Sequence, residues 1–142
     1  MKAIFRRIIT AKRSSFFHSK LLFEPYGLVP NISSIEVKIA TPLPEALRAW
    51  LEYAGYGDIN DVLSVRSDWF HTINQGVMEG HVIFAQDDMG NFYSFSSKDG
   101  SISFISRCEQ RAVSIANNFL AFLEEFERRD FNLIEWVNSM EE

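Results

Sequence analysis

Residues 82–105, VIFAQDDMGNFYSFSSKDGSISFI, decide how this chain folds. Two polar connections, Asp88-Met89-Gly90-Asn91 and Lys98-Asp99-Gly100, interrupt apolar runs. In each, glycine can supply the left-handed backbone position that a short hairpin loop needs. Three strands are expected: His81 to Gln86, Asn91 to Ser97, and Ser101 to Arg107. In the third, Ile102 and Phe104 alternate with serines, the two-residue period of a strand. Residues 81–107 therefore predict a three-stranded antiparallel meander.

The same stretch poses a chemical question, because Asp87 and Asp88 are adjacent. Consecutive side chains of a strand point to opposite faces, so such a pair does not converge on one substrate atom. In a turn, an aspartate accepts backbone N–H bonds instead. The spacing to Gly90 gives Asp87 that work. Asp88 is left without an obvious structural task.

Working outward, Ser34-Ile-Glu-Val-Lys-Ile-Ala40 alternates Ile35, Val37 and Ile39 with polar residues and predicts a strand. Thr41-Pro-Leu-Pro-Glu45 then opens a helix, since proline is tolerated in a first turn and Glu45 suits the positive end of the dipole. Leu47, Trp50, Leu51 and Ala54 form its apolar face, and Gly55 and Gly57 end it. Trp50 on that stripe is expected in the core. Asp58 to Ser67 reads as a polar loop with a short apolar piece, Val62-Leu63. Beyond the meander, Ala112, Ala116, Phe119, Leu123 and Phe126 predict one amphipathic helix over 109–127. Asp130 is expected to cap a last helix carrying Leu133, Trp136, Val137 and Met140. The order gives an α+β fold, an antiparallel sheet with helices packed on one side, in a single domain over 1–142.

The charge is unevenly spread. The first twenty residues carry six cations and no acid, so a chain of net charge −5 leaves −11 on residues 21–142. Such a body is a poor partner for nucleic acid, whose phosphates are bound by cationic surface. It suits a basic protein, because opposite fields speed encounter. The basic segment 1–20 has the composition of an organelle transit peptide. A structured or loosely ordered start, as a first strand or helix with Ile4, Phe5, Ile8 and Ile9 facing inward, is the favoured reading. No apolar run approaches the roughly 20 residues of a membrane span, and a cytoplasmic location is expected. Thirteen phenylalanines fall mostly at periodic positions, which favours an aromatic core over a binding surface.

Catalytic constellations are weak. One cysteine, Cys108, leaves no intrachain disulfide and no multi-cysteine zinc site. Cys108 with His18, His71 or His81 would need a base within reach, and Cys108 closes a strand rather than opening a helix. His71, Glu79 and His81 match no metal spacing, and they read as surface residues. Gly55-Tyr56-Gly57 follows a helix, whereas phosphate loops open one. No metal or cofactor is implied, and no enzymatic activity is expected. Exposed acids in loops are then the natural contacts for a basic partner: Asp58, Asp61, Asp68, Glu79 and Asp88, with Trp69 as an aromatic anchor.

Three segments, LPEALRAWLEYAGYGDI (43–59), VIFAQDDMGNFYSFSSKDGSISFI (82–105) and IANNFLAFLEEF (115–126), resemble the SUKH superfamily, the SMI1/KNR4 family. The matching residues include Leu43, Pro44, Leu47, Leu51, Gly55, Phe84, Ala85, Asp87, Gly90, Asn91, Tyr93, Gly100, Phe119 and Leu123. Tyr56 separates glycines that the family often pairs. The resemblance implies an α+β fold without catalysis. Many bacterial members are similar to immunity proteins that bind and neutralise polymorphic toxins, often nucleases. Eukaryotic members are interaction scaffolds. The binding surface varies with the partner, so the resemblance transfers no functional residues.

Overall fold

The computed structural model describes residues 2–13, 32–60, 62–109 and 111–140. Helix α1 (Lys2–Arg13), α2 (Ile32–Ile39) and α3 (Glu45–Ala54) come first. The strands are β1 (Gly57–Ile59), β2 (Leu63–Val65), β3 (His71–Thr72), β4 (His81–Asp87), β5 (Phe92–Ser96), β6 (Ile102–Ile105) and β7 (Ala112–Ala116). Helices α4 (Phe119–Arg128) and α5 (Leu133–Ser139) close the order. All seven strands form one antiparallel sheet in the order β1-β2-β4-β5-β6-β7, with β3 also paired to β4.

The meander is present as expected, in β4, β5 and β6. Its apolar pattern breaks strict alternation, because Phe84 and Ala85 are both fully buried. A β-bulge explains this. Ile83 pairs with Ser94 and Ala85 with Tyr93, so Phe84 is an extra residue in its strand. Such an insertion resets the side-chain phase. Val82, Phe84, Ala85 and Asp87 are therefore all buried, alongside Tyr93 and Phe95.

The helices cover that apolar face. Phe119 of α4 meets Phe84 edge-on at 5.8 Å between ring centroids, and Phe122 meets Tyr93 at 6.1 Å. Trp136 of α5 stacks on Phe122 at 5.5 Å. Helix α1 adds Phe5, which meets Trp50 of α3 edge-on at 5.3 Å. Ile4, Phe5 and Ile8 are buried and Ile9 half-buried, so the start of the chain is a packed helix over the described residues. Arg7 holds it to α4 through a forked ion pair with Glu127. Trp50 is in the core, as its stripe position requires.

Four local expectations are corrected. Residues 34–39 belong to helix α2, not to a strand, and Ala40 turns out of it at φ +57°. Ile35 and Ile39 are buried at helical spacing, while Val37 is 82% exposed. Glu36 decides the matter, accepting from Leu43 N at 2.7 Å and from Arg48 Nη2 at 2.6 Å, which ties α2 to α3. Residues 112–116 are a strand, not the start of a long helix. Phe104 pairs with Val113 and Ile105 with Ala112, and Asn118 caps α4 by accepting from Ala121 N at 2.7 Å. The expected loop from Asp58 to Ser67 contains β1 and β2. The cap of α5 is Asn132, which accepts from Glu135 N at 3.1 Å. Asp130 instead lies in the left-handed turn that ends α4, and Met140 is exposed beyond α5.

Candidate functional site

Asp87 is buried at the end of β4, and every contact of its carboxylate is internal. Oδ1 accepts from Met89 N at 2.9 Å and from Asn91 N at 3.0 Å. Oδ2 accepts from Tyr93 Oη at 2.9 Å and from Asn91 Nδ2 at 3.3 Å. Burial, and then the nearby Asp87 charge, push the Tyr93 phenol well above its ordinary range. Tyr93 therefore stays protonated and donating. This is the turn-tying work expected of Asp87. Asp88 is exposed, with its backbone N–H donating to Val62 O at 3.0 Å.

The six candidate partner-binding residues do not gather at one point. Asp58 lies in β1, at the same end of the sheet as Asp88, but it is paired with Arg66 at 2.9 Å. Asp68 is exposed and Trp69 half-buried, in a 3-10 turn beside the middle of β4. Glu79 is exposed in the loop between β3 and β4, at the His81 end. Since β4 spans His81–Asp87, Glu79 and Asp88 stand about 20 Å apart. Asp61 lies outside the described residues.

The nucleophile candidates separate too. Cys108 is exposed in the turn after β6, at the Phe92 end of β5. His71 and His81 sit at the opposite end, beside Ile83 and Ser96. His18 lies outside the described residues. Ser94 Oγ lies 3.4 Å from His81 Nδ1, and Asp99 interacts electrostatically with that imidazole. Ser94 is completely buried, so this hydroxyl is closed to a substrate. Burial pushes the His81 pKa down, and Asp99 opposes that shift. No group of three or more metal-ligating side chains occurs among the described residues.

A cavity of about 560 Å³ opens where α3, α4 and the β5–β6 turn meet. Its apolar wall includes Leu43, Pro44, Phe95, Phe119 and Leu120. Glu45 and Asp99 supply its carboxylates, and no lysine or arginine lines it. Asp99 accepts from Ser101 N at 2.9 Å, a bond that holds its carboxyl below the usual range. The loop bearing Glu79 adjoins this cavity, because Ser97 N donates to Gly80 O at 3.1 Å. Sequence reasoning passed over the cavity. Glu45 read as a dipole partner and Asp99 as a turn residue, and nothing in their spacing brings them together.

No helix among the described residues is long and apolar enough to cross a membrane. No curated protein and no solved structure matches the chain significantly. The family model of SMI1/KNR4 (SUKH-1) matches residues 31–125, from α2 to the middle of α4. That span is about two thirds of the chain and contains the whole sheet, the Asp87-tied turn and the cavity. The chain belongs to the SMI1/KNR4 family (SUKH-1).

Proposed function

We propose that this protein is a cytoplasmic, non-catalytic immunity protein of the bacterial type, which binds and neutralises a cognate toxin. A nuclease is the candidate toxin class. The observation that carries the reading is the charge of −11 on residues 21–142 in a domain of this family. Nucleases hold phosphate backbones and so present cationic surface. An acidic inhibitor meets such a surface with complementary potential, which raises the association rate and disfavours wrong partners. Asp68, Glu79 and Asp88 are exposed and supply unburied acid.

Co-expression with a toxin domain encoded in the same operon tests this. Growth should be rescued by the intact protein. A stable complex with another protein, without rescue, would assign the chain to the scaffold branch of the family instead.

A further inference from the structure

The cavity between α3, α4 and the β5–β6 turn combines two properties that rarely serve the same ligand group. Its accessible apolar lining comes from Pro42, Pro44, Ala46 and Leu120, with Leu43, Phe95 and Phe119 buried beneath it. Its polar lining carries Glu45 and Asp99, both exposed residues, and no cation. Lysine and arginine side chains have this divided chemistry, an apolar stem and a charged head. The first turns of α3 and α4 also face the cavity, at Glu45 and Phe119. Each helix N-terminus contributes about half a positive charge, which the two lining carboxylates outweigh; Lys98, exposed between Ser97 and Asp99, stands outside the lining. The α3 terminus is offset by Glu45 itself, and one first-turn N–H of α4, that of Ala121, donates to Asn118 Oδ1.

We infer that this cavity receives a lysine or arginine side chain of a basic protein partner, with the stem against Pro44 and Leu120 and the head between Glu45 and Asp99. The inference rests on the immunity reading for the nature of the partner, and on the cavity alone for the place and the chemistry. The cavity volume of about 560 Å³ exceeds what one such side chain fills, so neighbouring residues of the partner segment enter with it.

The test uses the full chain, ¹⁵N-labelled, at low ionic strength. The probes are N-acetyl-arginine amide and N-acetyl-lysine amide, with N-acetyl-norleucine amide and N-acetyl-glutamate amide as comparisons. The cationic probes should give saturating amide shifts at Ala46, Gly100 and Leu120. The norleucine and glutamate probes should bind at least about fivefold more weakly. The double variant Glu45→Gln/Asp99→Asn keeps the shape of both side chains and should weaken the cationic probes about fivefold or more. Ser97→Lys, at an exposed position on the rim, should do the same by supplying an internal cation. Unfolding midpoints of both variants confirm that they are folded. Equal binding of the norleucine probe, preference for the glutamate probe, or no saturating shift at these amides would overturn the inference. Rescue by the immunity test with an affinity indifferent to both variants would overturn it while leaving the immunity reading intact. Specific binding of the cationic probes without toxin rescue would support the cavity and sink the immunity reading.

Discussion

At the scale of the residue, Asp87 shows how one side chain fixes a turn. Its two oxygens serve two backbone N–H groups, an amide and a phenol, all within a few residues. Asp87→Ala leaves the buried Tyr93 hydroxyl without its acceptor, together with three part-buried donors of Met89 and Asn91. Such a loss costs about 1–3 kcal/mol for each group stranded, so the variant should lose at least about 2 kcal/mol in urea unfolding. Gly90, at φ +84°, completes the turn, and a Cβ there would lie 2.9 Å from Arg107 Nη1. Glu125 gives a pH signature. Arg128 and Arg129 hold its carboxyl at about 2, below the ordinary 4.5. A depressed folded-state pKa contributes stability above the unfolded value and loses it as pH falls toward the folded one. The advantage of the native chain over Glu125→Gln should therefore be full above about pH 4.5 and shrink toward pH 2. The pair is solvent-screened, so its size should stay below about 1 kcal/mol in urea unfolding followed against pH.

At the scale of the element, two segments of the chain carry patterns that fit both strand and helix. In residues 34–40, Ile35 and Ile39 satisfy a helix, and Ile35, Val37 and Ile39 satisfy a strand. The helical outcome makes a sharp prediction. Val37→Lys should change stability by less than about 0.5 kcal/mol, as at any exposed site. Ile35→Ala should cost about 2 kcal/mol or more, by loss of buried methyl groups. Similar penalties for the two variants would return the segment to a strand. In residues 112–126, Ala112 and Ala116 extend the helical stripe of α4 backwards, yet Val113 and Ile115 fit a strand equally well. Asn118 marks the true boundary, and its cap should contribute about 1 kcal/mol. Asn118→Ala should lower the thermal midpoint accordingly, while Asn117→Ala, at an exposed position without a capping bond, should not. The meander itself was legible, because its turns carry glycine at the positions a hairpin demands. Its bulge was not, because two adjacent buried apolar residues fit an irregular strand and a loop alike.

At the scale of the whole molecule, the acidic body predicts how binding responds to salt. Affinity for a basic partner should fall as ionic strength rises from 0.01 M to 0.15 M, since the screening length drops from about 30 Å to 8 Å. The fall should lie mainly in the association rate, measurable by surface plasmon resonance. An association rate indifferent to salt would refute the electrostatic part of the proposed function. The sequence by itself determined the sheet meander, the apolar stripes of α3 and α4, the turn work of Asp87 and the charge asymmetry. These rest on local backbone preference, on periodicity and on composition, which act within a few residues or need no geometry at all. Only the tertiary structure decided that residues 34–39 coil and residues 112–116 extend, since burial against distant partners broke those ties. It alone separated Glu79 from Asp88 along β4, committed Asp58 to Arg66, and brought Glu45 and Asp99 to one cavity from opposite sides of the sequence. Proximity of that kind is set by how the helices seat on the sheet, and no local pattern encodes it.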